Sequence, residues 1–262
     1  MSEKLIYLQK SGCFGEIILN RPERRNALSF AMWQKLPELI QDCENDPDVL
    51  IVLLHGGQTG HFAAGADISE FADIYGTRED AAVSGRVMAD ALKALEHCRK
   101  PVFSAIEGSC VGGGVSLAMS TDLCFASPSA KFAITPAKLG LVYPPGDMRR
   151  MVKKIGRSRS LDLLFTGRLI GSADALSYRL IDFVSDAEEH VLTAAKRYGD
   201  LVVQNSQWST RAIKAMISGR ESGWTDDHPD ALNIFLNGFE NQDFREGREA
   251  FLQKRKPDFT FR

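Results

Sequence analysis

Residues 106–119 read IEGSCVGGGVSLAM, and the fold of the chain is organised around this stretch. An apolar run from Pro101 to Ile106 predicts a short buried strand, and the residues after the glycines have helical character. Glycines 112–114 let another group come within hydrogen-bonding distance of the backbone. Because a glycine run that opens a helix leaves N–H groups unpaired, it can hold an anion or the negative oxygen of a transition state. The structural alternative is a tight strand-to-helix turn packed against a sheet.

The glycine run does not match two familiar phosphate-binding motifs. A dinucleotide fingerprint built on Gly112 and Gly114 would need a third glycine where this chain has Leu117. A phosphate loop would need a Lys-Ser or Lys-Thr pair after the glycines, and none follows.

Composition places the chain among ordinary globular proteins. It has 262 residues, of which 44% are hydrophobic and 25% charged, enough for one core or one domain with an appendage. The net charge of −2 favours neither nucleic acid nor anionic membrane. Signal-peptide and membrane-spanning patterns are absent from the sequence, so we expect a cytoplasmic protein. The five cysteines are scattered without metal-ligand spacing, which predicts reduced thiols and no metal site: Cys13, Cys43, Cys98, Cys110 and Cys124.

Strands alternate with helices along most of the chain, which predicts an α/β fold with a mostly parallel sheet. The predicted elements are a hairpin (5–10 and 16–20), a helix from an N-cap at Ser29 to Asn45, a doubly buried strand (49–54), helices (69–75 and 80–98) and a strand (122–126). Pro37 predicts a kink or a split in the first helix. From about Leu201 the pattern is helical throughout.

A second stretch rich in small residues, FAAGADI at 62–68, follows another predicted buried strand. Together with IEG, GGG and LAM in the first stretch and TD at 121–122, it resembles the crotonase superfamily, the enoyl-CoA hydratase/isomerase group. Weaker matches are RP (21–22), NAL (26–28), TGR (166–168) and FLQKRKP (251–257). The matches span nearly the whole chain in the expected order.

The resemblance implies a crotonase-like (ClpP/crotonase) spiral of ββα units over residues 1–200 and a C-terminal helical trimerisation region over 201–262. It also implies a homotrimer, or a hexamer formed as a dimer of trimers. The shared chemistry is stabilisation of a thioester enolate by two backbone N–H groups, which by motif position belong to Ala66 and Gly113.

Coenzyme A is implied as part of the substrate, and no separate cofactor is expected. The basic residues among its implied contacts have the alternative of an ordinary solvated face. Lys254 would act in a neighbouring subunit. The residues implied to contact coenzyme A are Arg24, Arg25, Ala27, Ala64, Asp67, Ile68 and Lys254.

The chain departs from the hydratase pattern at two positions. Ser116 and Pro136 stand where hydratases of the group place their two glutamates, and a serine cannot replace a carboxylate base unaided at neutral pH. Decarboxylation needs the oxyanion hole but no base, because loss of CO2 itself generates the enolate. Loop 132–143 resembles that of methylmalonyl-CoA decarboxylases, although those enzymes keep a glutamate at the position of Ser116. The resemblance implies that Tyr143 orients the leaving carboxylate, and decarboxylase-like chemistry is the favoured hypothesis.

Two alternatives remain open. An enoyl-CoA hydratase or isomerase could use water or Asp147, whose structural interpretation is a charge at a helix N-terminus. The second alternative is a protein that binds coenzyme A thioesters without turning them over. His61 is expected at the surface, and Phe71, Ile74 and Tyr75 are expected to form a core stripe rather than an acyl pocket.

Overall fold

The computed structural model describes residues 4–261. The strands are Ile6–Ser11 (β1), Phe14–Leu19 (β2), Ile51–His55 (β3), Val102–Ile106 (β4), Ser109–Val111 (β5), Leu123–Ala126 (β6), Lys131–Ala133 (β7), Ile170–Gly171 (β8) and Phe183–Val184 (β9). The helices are Phe30–Asn45 (α1), Phe71–Ile74 (α2), Arg78–His97 (α3), Gly113–Met119 (α4), Pro145–Ile155 (α5), Arg157–Thr166 (α6), Ser172–Ser177 (α7), Val191–Val203 (α8), Gln207–Glu221 (α9), Pro229–Asn237 (α10) and Gln242–Gln253 (α11).

Two sheets carry the fold. The larger has the order β1-β2-β3-β4-β6-β9, in which β1 and β2 form the predicted antiparallel hairpin and all other pairs are parallel. The smaller has the order β5-β7-β8. Because β4 and β5 follow each other in the chain, as do β6 and β7, successive turns add one strand to each sheet. This is the predicted spiral of ββα units.

The larger sheet is buried on both faces, as its sequence predicts. In β3, Val52 and Leu54 belong to the main core with α1 and α3, whereas Ile51 and Leu53 face a second cluster closed by α8. Alternate residues of a strand point to opposite faces, so a continuous apolar run is what such a strand needs.

Helix α1 corrects one prediction. It runs unbroken through Pro37, so the expected split is wrong. The Ser29 side chain accepts a hydrogen bond from the Met32 N–H, as an N-cap should. The buried stripe that includes Trp33 and Leu36 holds the helix against the sheet and compensates for the missing proline N–H.

The C-terminal region is helical, and residues 204–261 contain no strand. The predicted boundary between residues 200 and 201 lies within α8. The trimerisation role of α9, α10 and α11 stays a prediction. Among the helices of residues 4–261, none combines the length and apolar composition that a membrane span requires.

Candidate active site

The two small-residue loops lie side by side. They follow the neighbouring parallel strands β3 and β4, whose carboxyl ends share one edge of the sheet. The Phe62 N–H donates to the Glu107 carbonyl at 2.7 Å, and the Ala63 N–H donates to the Ser109 carbonyl at 2.9 Å. The Ala63 carbonyl in turn accepts from the Val111 N–H at 2.9 Å. Residues about 50 apart in the chain therefore form one hydrogen-bonded unit.

Close approach of the two loops requires glycine at two positions. A Cβ on Gly114 would lie 2.7 Å from the Ala63 carbonyl oxygen, an atom already fixed by its hydrogen bond. Gly65 has a φ of +106°, and its added Cβ would lie 3.3 Å from the Val111 carbonyl oxygen. The glycine run is thus a tight turn, as the structural alternative predicts, and its role in holding a negative oxygen stays a prediction.

The predicted oxyanion donors lie on the wall of one cavity of about 890 Å³. Gly113 is the first residue of α4, so its N–H has no partner within the helix. Ala66 sits between Gly65, which accepts a hydrogen bond from the Leu28 N–H, and Asp67, which donates to the Leu28 carbonyl. This bridge leaves the Ala66 N–H on the side away from Leu28. Among the turn, loop and cap hydrogen bonds of residues 4–261, neither N–H donates to a carbonyl.

The opposite wall of the cavity corrects a prediction about α2. Phe71 and Tyr75 line the cavity with Met88 and Leu92 of α3, so the expected core stripe is wrong for these two aromatic residues. The four-residue helix α2 buries none of its residues because it packs on α3 beside the cavity. An apolar wall of this kind suits an acyl chain.

Three polar side chains from separate segments meet on the cavity wall: Ser116 of α4, Tyr143 of the loop before α5, and Asp147 of α5. The Ser116 Oγ lies 2.7 Å from the Tyr143 hydroxyl and donates to Asp147 Oδ2 at 3.0 Å. The Tyr143 hydroxyl also donates to the Gly112 carbonyl at 3.1 Å. Each of the three side chains belongs to a residue no more than 5% exposed. The sequence predicted all three separately, and the fold joins them.

Asp147 is more than a helix-terminal charge. It does lie in the first turn of α5, but it is buried, and its Oδ1 is 3.1 Å from Arg150 Nη1. Arg150 Nη2 is in turn 2.6 Å from Glu96 Oε2 of α3. Burial raises the pKa of Asp147, against the lowering effects of Ser116 and Arg150. Burial also raises the pKa of Tyr143 well above its ordinary value, and the charge of Asp147 adds to this effect.

The residues predicted to contact coenzyme A are spread over different environments. Arg24 and Arg25 are exposed in the turn before α1, and the Arg25 carbonyl accepts from the Ala64 N–H at 3.0 Å. Ala64 and Ile68 line the cavity, and Ile68 is 61% exposed at its edge. The hydrogen bond between Ala64 and Arg25 places the turn that carries the two arginines next to the rim of the cavity.

Asp67 has a structural role that the sequence did not indicate. Its carboxylate is buried and lies 2.6 Å from Arg21 Nη2. Hydrogen bonds from Ser69 lower the pKa of Asp67, and Arg21 lowers it further. Burial acts in the opposite direction, and the resulting pKa is about 2. The Asp67 side chain therefore fixes the loop, and its main chain remains the candidate contact for coenzyme A.

Three further predicted residues lie apart from the polar cluster. Ala27 is half-buried and its carbonyl accepts from Arg21 Nη1 at 3.0 Å. Lys254 caps α11 and does not line the cavity of its own chain, so its role in a neighbouring subunit stays a prediction. His61 is half-buried, and its Nδ1 accepts from the Ser109 N–H at 3.3 Å between the two loops.

Sequence reasoning missed Arg150 and Glu96. Arg150 follows Asp147 by three residues, a helical spacing that could have indicated an ion pair on one face of α5. Glu96 lies 54 residues before Arg150 in the sequence, and no local pattern connects it to the site. Within residues 4–261, no group of histidine, cysteine, aspartate or glutamate side chains has the arrangement of a metal site.

Comparisons with known proteins agree with this geometry. The sequence model of the enoyl-CoA hydratase/isomerase family matches residues 9–262. A Mycobacterium leprae protein named as a probable enoyl-CoA hydratase is 35% identical over 95% of both chains. The short-chain-enoyl-CoA hydratase of Clostridium acetobutylicum is 30% identical over 96% of this chain and 95% of its own. The crystal structure of an enoyl-CoA hydratase/isomerase family protein from Hyphomonas neptunium superposes with a TM-score of 0.97 at 51% identity, covering 99% and 98% of the two chains. Two motif loops, the spiral of strands and these full-length matches together show that the chain belongs to the enoyl-CoA hydratase/isomerase family of acyl-CoA enzymes.

Proposed function

We propose that the protein is an enoyl-CoA hydratase or isomerase in which Asp147 is the acid–base group. One observation carries this proposal: a buried carboxyl group lies on the cavity wall, hydrogen-bonded at 3.0 Å to Ser116. The family resemblance implies a hydratase glutamate at the position of Ser116. The Asp147 side chain comes from α5 instead of α4, yet it reaches the same part of the cavity. The hydratase names of the full-length relatives support the same reaction class.

The thioester carbonyl would bind between the Ala66 and Gly113 N–H groups. Negative charge develops on that oxygen when water adds to the β-carbon of the enoyl thioester or when a proton is removed from the carbon next to the thioester, and each preorganised donor contributes about 3–4 kcal/mol to its stabilisation. Coenzyme A would leave the cavity past Ala64 and Ile68 toward Arg24 and Arg25. These basic side chains are exposed and are suited to the phosphates.

Asp147 has the environment that proton transfer requires. Burial raises its pKa above the ordinary value, which moves the titration of the carboxyl group toward the pH range in which a general acid–base group is most effective. In hydration, Asp147 would take a proton from the attacking water and return one to the carbon next to the thioester. In isomerisation, it would move one proton between two carbons of the acyl chain.

Decarboxylation is the second candidate function. The observation that favours it is the position of Tyr143 on the wall of the same cavity. The decarboxylase resemblance of its loop is a hypothesis from the sequence. Decarboxylation ranks second because the Tyr143 hydroxyl already contacts Ser116 and the Gly112 carbonyl, and because a carboxyl group able to act as base is present. The two reactions differ in product, so they can be separated directly.

We also propose that the chain assembles as a trimer or as a dimer of trimers. Large apolar side chains are exposed on the C-terminal helices or next to them: Phe235 (57%), Leu236 (57%), Phe239 (54%), Phe251 (82%) and Leu252 (74%). Surfaces of this kind are normally covered in an assembly. Light scattering on the purified protein measures the mass, and a monomer would contradict the proposal.

The test of function is turnover of a panel of thioesters followed by mass spectrometry. The panel contains crotonyl-, 3-enoyl-, malonyl-, methylmalonyl- and ethylmalonyl-CoA. Gain of one water by crotonyl-CoA, or a double-bond shift in the 3-enoyl thioester, is the expected result. Loss of CO2 from a malonyl member would favour the second candidate. Binding without any turnover would identify a non-catalytic protein and contradict both.

A pair of variants at Gly113 tests the oxyanion hole. An added Cβ would lie 3.0 Å from Trp33 Cζ2 in both Gly113→Ala and Gly113→Pro, but only the proline removes the N–H. We expect Gly113→Pro to lose about 10²–10³-fold more kcat than Gly113→Ala. Equal losses would mean that the N–H does not act in the reaction.

A further inference from the structure

The peptide unit between Gly112 and Gly113 has two roles. Its N–H, on Gly113, is the proposed oxyanion donor. Its carbonyl, on Gly112, accepts hydrogen bonds from the Tyr143 hydroxyl at 3.1 Å and from the Ser116 N–H at 3.1 Å. Since a peptide unit is planar, whatever holds the carbonyl also fixes the direction of the N–H.

A hydrogen bond accepted by an amide carbonyl polarises the whole amide and strengthens its N–H as a donor. Building on the function proposed above, we propose that Tyr143 is a positioning residue that acts through this peptide, orienting and strengthening the Gly113 N–H toward the substrate oxygen. Tyr143 then acts on the carbonyl end of the substrate, and it does so without contacting a leaving carboxylate. The same hydroxyl also connects the oxyanion hole to Asp147 through Ser116.

The number of protons available to Asp147, Ser116 and Tyr143 determines which group donates in each of their hydrogen bonds. Each hydroxyl has one proton to donate. When Asp147 is ionised, Ser116 donates to it, so Tyr143 is the donor in its 2.7 Å contact with Ser116 and shares its proton with the Gly112 carbonyl. When Asp147 has taken up a proton, it donates to Ser116, Ser116 donates to Tyr143, and the Tyr143 proton goes wholly to Gly112. Proton uptake by Asp147 therefore strengthens the Gly113 N–H at the moment the enolate forms.

Two charged side chains act on Asp147 in addition to its hydrogen bond with Ser116. Arg150 on its own helix favours the ionised form, and Glu96 across from α3 opposes it. Tyr143 and Cys110, both buried, have pKa values raised well above their ordinary values, so they stay neutral while Asp147 titrates. The pKa of Glu96 is lowered, because its interactions with Arg150 outweigh burial, so Asp147 takes up a proton before Glu96 as the pH falls.

The expected effect on turnover is modest. Cooperative strengthening is about 10–30% per hydrogen bond, and an oxyanion donor contributes about 10²–10³-fold. On this basis Tyr143→Phe should lower kcat by roughly two- to eightfold and leave KM nearly unchanged. A residue that oriented a leaving carboxylate or merely filled space would not also change the donor strength of Gly113, so a spectroscopic measurement separates these roles.

The measurement is infrared spectroscopy of bound butyryl-CoA labelled with carbon-13 at the thioester carbonyl. In the wild-type protein the carbonyl band should lie at lower frequency than in water, because two N–H groups polarise it. In Tyr143→Phe the band should move part of the way back to higher frequency. Tyr178→Phe is the control, since it removes a tyrosine hydroxyl that lies outside the cavity and accepts from Arg168 Nη2 at 2.9 Å. This control should keep the wild-type frequency.

A second measurement needs no change at Tyr143. The wild-type band should fall to lower frequency as the pH is lowered through the Asp147 titration, and Ser116→Ala should abolish this dependence by interrupting the chain. An unchanged band in Tyr143→Phe, or a pH dependence that survives in Ser116→Ala, would overturn the inference while leaving the proposed function standing. Failure of butyryl-CoA to bind, or a wild-type band identical to that in water, would overturn the proposed function and the inference with it.

Discussion

Replacement of Asp147 by asparagine separates proton transfer from packing. Asparagine has nearly the same shape as aspartate, and its amide oxygen can still accept the hydrogen bond that Ser116 makes at 3.0 Å. Its amide nitrogen then takes the place of Oδ1, which lies 3.1 Å from Arg150 Nη1, so this ion pair is lost. The substitution keeps the shape of the cavity wall and removes the group that titrates. Arg150 keeps its second partner, Glu96, at 2.6 Å, so no cation is left unpaired.

The expected loss follows from general acid–base catalysis. Removing the positioned group should lower kcat by about 10²–10⁴-fold, equivalent to about 3–5 kcal/mol of transition-state stabilisation at 1.36 kcal/mol per tenfold. KM should change little, because Asp147 is one of many residues that line the cavity. The wild-type kcat should also rise with pH as Asp147 ionises, and this acid limb should be absent from the variant.

The contribution of Asp147 to the stability of the folded protein should fall as the pH rises, whereas kcat should increase. Burial raises the pKa of Asp147 above 3.8, so the folded state favours the protonated form. The stability that Asp147 contributes is complete below its unfolded pKa and is lost as the pH rises through its folded pKa. Asparagine does not titrate. Thermal unfolding should therefore favour the variant over the wild type increasingly as the pH is raised from acid to neutral.

The assay is kcat and KM across the pH range on whichever thioester of the panel reacts fastest, with thermal unfolding at the same pH values. A loss of kcat smaller than about tenfold, or an acid limb that persists in Asp147→Asn, would refute the role of Asp147 as the proton carrier. The stability measurement guards against a false result from misfolding.

Two further pairs of variants follow from the same contacts. Glu96→Gln removes a negative charge, so it should lower the pKa of Asp147 and move the acid limb of kcat to lower pH. Arg150→Gln removes a positive charge and should move the acid limb to higher pH. A shift in the same direction for both variants would contradict the electrostatic assignment. Gly114→Ala should lower the free energy of unfolding by about 1–3 kcal/mol, because its new methyl group meets a hydrogen-bonded carbonyl. Gly85→Ala, in the middle of α3 with nothing within 4 Å of the added Cβ, should instead raise it by up to about 1 kcal/mol. Calorimetry of both glycine variants checks this, and a Gly114→Ala protein as stable as Gly85→Ala would refute the packing argument.

Local patterns predicted the elements that build the fold. The apolar run at 49–54, the N-cap at Ser29 and the glycine run all act through the residues next to them, so their consequences can be read without the rest of the chain. The split predicted at Pro37 is absent, because the effect of the proline depends on the packing of α1 against the rest of the fold; the alternative of a kink stays a prediction. Phe71 and Tyr75 were misread for the same reason, since helical spacing cannot distinguish a core from a cavity wall.

The sequence by itself determined the family, the parallel α/β architecture and the two small-residue loops that carry the proposed oxyanion donors. Those features depend on motif residues whose backbone needs, such as glycine at 112–114, are local. Only the tertiary structure decided that Ser116, Tyr143 and Asp147 form one hydrogen-bonded chain, and that Glu96 reaches it from α3. The environment of Asp147 is a property of burial and of partners up to 51 residues away, and these exist only once the helices have packed around the cavity.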